Sequence, residues 1–288
     1  MTTSRAPGAT LCLLTMAALA LAACSRPAPK PAAEAPATDA LAWAYPGAGA
    51  PPATGFSKTD KVGLEGVAVS HSPAEIHDRY NAVDWRPTEH PTAPAIVMHG
   101  RAPDAMACGF CHLPDGQGRP ENAALAGLPA AYIEAQLANM RTGDRQGARP
   151  GWLPSALMTK EARSTTPAEA AAAAAYFSKL PYTPRVRLVE TADIPRTEGF
   201  GFLNRPAGGG GREALGTRII EVPDDVARWE KRDSRVGYVA YAPVGALARG
   251  QALASGAGGQ APACASCHGE GLRGGPAAPP IAGSTAGY

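Results

Sequence analysis

The chain has 288 residues, which is enough for about two domains of ordinary size. Its formal net charge is only +2, so it lacks the strongly basic surface that nucleic-acid binding requires, and we expect no nucleic-acid partner. Glycine (33 residues) and proline (29) are abundant while aromatic residues make up 6% of the chain, which predicts long irregular connections and small hydrophobic cores.

Residues 1–23 have the features of a targeting segment that is removed from the mature protein. Arg5 gives a weak basic start, and the apolar run from Leu11 to Leu21 is too short to span a membrane. The run ends in Leu-Ala-Ala-Cys24, which resembles a bacterial lipobox and implies cleavage before Cys24 and acylation of its thiol. We therefore expect a lipid anchor on the periplasmic side of a bacterial membrane. Both the inner and the outer membrane are consistent with this expectation. A plain signal peptide is the alternative.

The next two segments are predicted to lie outside the main domains. Residues 24–55 are rich in proline and alanine and are interpreted as a disordered tether. Residues 56–92 are polar, and we interpret them as a leading arm that packs on the first domain. Its histidines are expected to be surface or capping residues rather than metal ligands; they are His71, His77 and His90.

A five-residue motif, C-x-x-C-H, occurs twice, at 108–112 and at 264–268. This is the attachment signature of c-type haem, in which two thiols bond covalently to the porphyrin and the following histidine ligates the iron. The predicted attachment residues are Cys108, Cys111, Cys264 and Cys267, and the predicted iron ligands include His112 and His268. We therefore expect two covalently bound haem c groups.

Paired cysteines at this spacing also occur in thioredoxin-like redox sites and in half-sites for zinc. Neither alternative explains a histidine directly after each pair, and no alternation of strands and helices surrounds the pairs, so haem is the preferred interpretation. Apart from Cys24, the remaining cysteine is Cys12, which lies inside the leader. Disulfide bonds are therefore not expected.

Residues 93–181 are predicted to form a first domain of helices joined by loops. A short helix is expected at 95–101, before the haem motif. Pro129 opens a second, amphipathic helix. The sequence Thr-Pro-Ala-Glu at 166–169 is a capping box that starts a final alanine-rich helix, which Pro181 ends.

Residues 93–181 resemble a class I c-type cytochrome domain, and the doubled motif resembles the diheme cytochromes of the c4-like group. The resemblance implies an all-α fold of tandem class I cytochrome c domains with a partly extended connector, preceded by the disordered tether. It also implies that the small Gly100 meets the ring of Tyr176 where the first and last helices cross. The family uses a proline carbonyl as acceptor for the proximal histidine ring, which corresponds to Pro280 in the second copy and to Ala124 in the first.

The family places a methionine sulfur opposite the proximal histidine, in an irregular stretch before the last helix. Met158 occupies that position and is the predicted distal ligand of the first iron. Met140 is the competing candidate, although its place in an apolar helical stripe is typical of core packing. Met98 and Met106 precede the attachment motif and fit the role less well.

Residues 182–242 differ from the flanking segments and are interpreted as a structural connector. Residues 185–190 alternate between polar and apolar side chains like an exposed strand, and residues 218–222 are predicted to be its partner. Four consecutive glycines at 208–211 predict a flexible loop between them.

Residues 243–288 repeat the first domain at a shift of 156 residues, the separation of His112 and His268. At this shift Leu-Ala-Gly at 125–127 aligns with Ile-Ala-Gly at 281–283. We interpret the segment as an incomplete cytochrome c domain 2, because the counterparts of Met158 and of the last helix are missing from it. Either the sequence is a fragment of a longer protein, or the second haem lies in an open domain without a protein ligand at its sixth position.

Together these observations predict a diheme c-type cytochrome that carries single electrons in a periplasmic respiratory chain. The expected partners are redox proteins: a dehydrogenase, a quinol-oxidising complex or a terminal oxidase. No proton-transfer or nucleophile constellation accompanies the motifs, so we predict an electron-transfer protein rather than an enzyme. Two alternatives stay open: a haem enzyme of the diheme peroxidase or thiosulfate dehydrogenase type, and the haem subunit of a periplasmic alcohol or aldehyde dehydrogenase.

Overall fold

The computed structural model describes residues 41–46, 55–257, 259, 262–275 and 278–285. The targeting segment 1–23, the acylation candidate Cys24 and most of the tether 24–55 lie outside the described residues. The expectations for these parts of the chain therefore stay predictions.

The attachment motif of the first domain is held against a core of helices. α4 packs against α5 and α6, while α2 packs against α3 and α6. Their shared core includes Val97, Ile133, Ala174 and Phe177. The helices are α1 (Pro73–Ile76), α2 (Ala95–Met98), α3 (Cys108–His112), α4 (Ala130–Thr142), α5 (Leu153–Ser164) and α6 (Pro167–Phe177).

The predicted starts of two helices are confirmed. α4 begins directly after Pro129, and α6 begins with a capping box in which Thr166 and Glu169 bond each other's backbone N–H groups. The helix predicted at 95–101 is shorter, because Gly100 has a φ of +45° and a Cβ there would lie 2.6 Å from the backbone nitrogen of Ala107. The three atoms nearest to such a Cβ all belong to the backbone of residues 105–107, and the contact of Gly100 with the ring of Tyr176 stays a prediction.

The stretch before the last helix was expected to be irregular, and this is wrong. Residues Leu153–Ser164 form α5, with Pro154 in its first turn. A proline is tolerated there because backbone N–H groups of the first turn have no partner within the helix. Met158 consequently lies on a helix rather than on a loop.

Strands are the second component of the fold. β3, β9 and β8 form one sheet in that order, in which β9 runs parallel to β3 and antiparallel to β8. Antiparallel pairing joins β1 to β2, β4 to β7 and β5 to β6. The strands are β1 (Val62–Gly63), β2 (Ser70–His71), β3 (Val186–Glu190), β4 (Asp193–Pro195), β5 (Thr197–Phe200), β6 (Leu203–Pro206), β7 (Arg212–Ala214), β8 (Ile220–Pro223) and β9 (Tyr238–Ala242), and α7 (Val226–Glu230) lies between the last two.

The predicted all-α fold is therefore wrong. Residues 186–242, the β-rich segment, build two cores of their own, one around Ile194 and Leu215 and the other around Trp229 and Val236. Both strands predicted in this segment form. Their direct pairing is wrong, because the mostly buried β9 lies between β3 and β8.

The leading arm 56–92 contacts both the helices and the β-rich segment. Its Ala82 N–H donates to the carbonyl of Met98, and the indole N–H of Trp85 donates to the carbonyl of Lys231 at 2.7 Å. The His90 side chain was expected at the surface, but it is only 7% exposed and lies 3.0 Å from the carboxylate of Asp84. The surface interpretation of His90 is therefore wrong.

The second C-x-x-C-H motif lies in an open part of the structure. Neither α8 (Ala246–Ala254) nor α9 (Ala265–His268) contains a buried residue. Leu247 and Leu253 on α8 are 60% and 65% exposed. Across the described ranges, no helix combines the length and the apolar character needed to cross a membrane.

Candidate haem attachment sites

The thiols of Cys108 and Cys111 lie one turn apart on α3, and both are free. Burial, with a smaller contribution from Cys111, raises the pKa of the Cys108 thiol to about 12. Burial also raises the pKa of Cys111, against the opposing effect of the cations Arg232 and Arg119. A thioredoxin-like site needs a thiol with a lowered pKa, so these raised values disfavour that alternative.

Each motif histidine bonds a backbone carbonyl through the same ring nitrogen. Nδ1 of the buried His112 lies 2.8 Å from the oxygen of Ala123, and Nδ1 of His268 lies 2.6 Å from the oxygen of Pro279. A carbonyl oxygen only accepts hydrogen bonds, so each Nδ1 carries the proton and donates it. Nε2 then keeps its lone pair, which is the form of imidazole that ligates a metal. The residues therefore fit iron ligation at both motifs.

The two acceptors differ by one position from those that the family resemblance implied. Ala123 and Pro279 accept the bonds, rather than Ala124 and Pro280. Each acceptor stands 11 residues after its histidine. Burial lowers the pKa of His112, and the hydrogen bond to Ala123 opposes this effect in part. The lowered pKa favours the neutral ring that a metal needs.

The loops that follow the two motifs have equivalent backbone hydrogen bonds. The N–H of Gly118 donates to the carbonyl of His112 at 3.0 Å, and the N–H of Gly274 donates to the carbonyl of His268 at 2.7 Å. Both glycines have positive φ, and a Cβ would lie 2.5 Å from backbone at Gly118 and 2.9 Å from Pro280 at Gly274. The sequence repeat is thus also a repeat of local structure around each histidine.

Met158 lies partly buried on α5. One turn further along, the carboxylate of Glu161 accepts a hydrogen bond at 2.8 Å from the N–H of Met106, just before the attachment motif. Residues three apart share a helix face, so Met158 lies on the face of α5 that docks on the attachment segment. Met140 is also partly buried, on α4. This placement favours Met158 as the distal ligand, which stays a prediction.

A cavity of about 440 Å³ lies between the loops of the two repeats. Ala123 and Pro279, the acceptors for the two histidines, both line it, and so does His268. Arg119 and Arg185 supply positive charge at its wall. Two hydrogen bonds hold the loops together, from the hydroxyl of Tyr182 to the carbonyl of Gly283 at 2.6 Å and from the hydroxyl of Thr285 to the carbonyl of Pro120 at 3.1 Å.

Sequence reasoning missed one residue at the first motif, Arg232 of the β-rich segment. Its guanidinium carbon lies 3.7 Å from the centroid of the Phe110 ring, inside the motif. In the sequence Arg232 stands 122 residues from Phe110, within the charged run Glu-Lys-Arg-Asp at 230–233. Such a run is typical of a solvated surface, so no local signal could have indicated this contact.

Within the ranges that the structure covers, no three His, Cys, Asp or Glu side chains are grouped as a ligand set for a bare metal ion. A zinc site built on either cysteine pair would need further protein ligands of this kind. The described residues therefore offer no support for the zinc alternative.

No family model matches the chain, and no curated protein matches it. Among solved structures, the chain is similar to the thiosulfate dehydrogenase TsdBA from Marichromatium purpuratum in its "as isolated" form. The identity is 27% and the TM-score is 0.38, over 64% of this chain. The chain corresponds to 28% of the length of that protein.

Proposed function

We propose that the protein is a c-type cytochrome that carries two covalently attached haems and transfers single electrons. The repeated histidine arrangement is the observation that carries this proposal. At both motifs a carbonyl 11 residues downstream fixes the Nδ1–H form of the ring directly after a pair of free thiols. A haem uses one such histidine and two such thiols at each centre.

Each residue of the proposed sites has a separate role. Haem, when bound, supplies reversible one-electron chemistry at its iron. The chain holds each histidine ring in one orientation through its carbonyl acceptor, and burial shields His112 from water. The residues that would hold the haems are Cys108, Cys111, His112 and Met158 for the first, and Cys264, Cys267 and His268 for the second.

The proposed role is that of an electron carrier between redox proteins, such as a dehydrogenase or quinol-oxidising complex and a terminal oxidase. The proposed location is the periplasmic side of a bacterial membrane, with a lipid anchor at Cys24. Support for the location comes from the lipobox-like sequence and from the type of haem attachment, which resembles periplasmic maturation.

Protein matured in a host that attaches c-type haem is expected to contain two haems per chain. Haem content is measured from the absorbance of the pyridine complex and from the mass of the intact chain, and a potentiometric titration should show reversible one-electron steps. Colourless protein with four free thiols at the two motifs would refute the proposed function.

Replacing Met158 with alanine is expected to abolish the sulfur-to-iron charge-transfer band of the ferric protein completely and to lower the reduction potential of one centre. The reason is that a thioether stabilises ferrous iron relative to other ligands. Met140→Ala is the matched control and should retain the band, since Met140 lies partly buried on another helix, α4, and a methionine in an apolar helical stripe is typical of core packing. The opposite pattern in the two variants would assign the ligand to Met140.

A further inference from the structure

The side chain of Arg232 is held at three points beside the first attachment motif. Its Nε donates to the carbonyl of Ile76 at 2.9 Å, and its Nη1 donates to the carbonyl of Phe110 at 2.7 Å. The guanidinium also stacks on the Phe110 ring, with 3.7 Å from its central carbon to the ring centroid. Three contacts fix the position of the charge, so it cannot turn outward to solvent without losing all of them.

The position of this charge is set by the motif itself. Phe110 stands between Cys108 and Cys111 and two residues before His112, so the guanidinium lies against the middle of the attachment turn. Burial, with a smaller contribution from Arg119, lowers the pKa of Arg232 to about 9, so the side chain is still a cation at pH 7.

The neighbouring charges do not neutralise Arg232. Arg119, the cation with the largest effect on the pKa of Arg232, pairs with Glu121 at 3.4 Å, and both of these side chains are less than 10% exposed. Among the residues that the structure describes, no carboxylate lies within ion-pair distance of Arg232 itself. A net positive charge therefore remains in a poorly solvated position, where electrostatic effects are larger than in water.

We propose that Arg232 raises the reduction potential of the first haem. This inference rests on the proposed function. Ferric iron carries one more positive charge than ferrous iron, so a fixed cation beside the attachment turn disfavours the ferric form. The β-rich segment thus acts on the first centre by placing a positioning residue against it.

The second motif has no equivalent arrangement in its described residues. Ser266 occupies the position of Phe110, so there is no ring on which an arginine can stack. Its hydroxyl donates to the carbonyl of Ala263 at 2.6 Å, and Cys267 is exposed. The stacked arginine is therefore a feature of the first motif, and we expect its effect at the first centre.

The test is a spectroelectrochemical titration of the two-haem protein and of four variants. Arg232→Met removes the charge and should shift the ferric–ferrous equilibrium of one centre about tenfold toward ferric, which is about 59 mV for a one-electron couple. Arg232→Lys keeps the charge and should retain most of the potential. Arg235→Met is the matched control and should leave both potentials unchanged, because Arg235 lies in the same loop but is 54% exposed and pairs with Glu89. The affected couple is assigned to the first haem with the double variant Cys264→Ala and Cys267→Ala.

Two results would overturn the inference. One is a haem-loaded Arg232→Met protein with the wild-type potential. The other is a loss of potential in Arg232→Lys as large as in Arg232→Met, which would point to altered packing instead of charge. Should Arg232→Met fail to fold, Arg232→Gln keeps an N–H donor for the carbonyls, and the same criteria apply to it. Wild-type protein without haem would refute the proposed function itself, which keeps the two failures distinct.

Discussion

Replacing Cys108 and Cys111 together with alanine is expected to remove one haem per chain and to lower the free energy of unfolding by about 3 kcal/mol or more, the scale for losing a large buried aromatic group. The attachment turn is part of the helical core. Ala107 and Leu113, which flank it, are 1% and 2% exposed, and His112 is 8% exposed. Loss of the cofactor from beside this core is therefore expected to leave a cavity and to cost stability. Haem content and denaturant titration of the matured protein measure the two effects.

The matched control is the same double change at the second motif, Cys264→Ala and Cys267→Ala. It should also remove one haem. Its effect on the free energy of unfolding should be less than about 1 kcal/mol, because α9 contains no buried residue and surface changes of this kind cost little. Equal destabilisation by both double variants would contradict the inference that only the first site lies in the core. Two haems retained in either variant would contradict attachment at that motif.

The candidate site was largely predictable from the sequence because its signal is local. Five consecutive residues at 108–112 and at 264–268 carry the thiols and the histidine, and one helical turn sets their geometry. The carbonyl acceptors were predicted one residue too late. Their positions depend on the path of the loop after each motif, which is set by the positive φ of Gly118 and Gly274 and is not visible as a pattern of residue types.

The helical part of the fold was predictable where a helix start is encoded by nearby residues. The capping box at 166–169 and the proline at 129 each specify a start without reference to the rest of the chain. The sheet was not predictable in the same way. Val186 pairs with Tyr238, so the strand that pairs with β3 lies far from it in the sequence. Strand formation depends on such distant pairing more than on local propensity.

The contacts between the leading arm, the attachment turn and the β-rich segment could not be predicted, since they join residues far apart in the chain. Arg232 and Asp233 are consecutive, yet Arg232 contacts Phe110 while Asp233 contacts Arg86. The charged run that contains them is typical of a surface. In the structure it is instead the point where three parts of the chain meet, and this makes Asp233 a sensitive position.

Replacing Asp233 with asparagine is expected to lower the free energy of unfolding by about 3 kcal/mol, the scale for breaking a buried ion pair. The Asp233 side chain is 0% exposed, and its two carboxylate oxygens lie 2.6 Å from Arg86 and 2.6 Å from Arg228. Without the carboxylate of Asp233, Arg86 stays buried, at 12% exposure, and has no carboxylate at so short a distance. Denaturant titration of the haem-loaded protein measures the loss.

Glu89→Gln is the control for Asp233→Asn, because its carboxylate is 49% exposed and lies 2.6 Å from Arg235 but 3.9 Å from the buried Arg86. An exposed pair contributes less than about 1 kcal/mol, so this variant should be close to wild type. Equal losses of unfolding free energy in the two variants would show that the contribution of the Asp233 ion pairs to stability does not depend on their burial.

The same carboxylate also predicts a response to acid. Burial alone would raise the pKa of Asp233, but hydrogen bonds from the side chains of Arg86 and Arg228 and from the backbone N–H of Arg235 outweigh it and hold the pKa below its usual value. An aspartate with a depressed pKa in the folded state contributes stability that is complete above its unfolded pKa of about 3.9 and is lost as the pH falls through the folded pKa. Wild-type stability should therefore fall more steeply than that of Asp233→Asn below about pH 4. Unfolding titrations at several acid pH values measure both profiles. Parallel profiles would mean that these hydrogen bonds do not hold the pKa of Asp233 below its usual value in the folded protein.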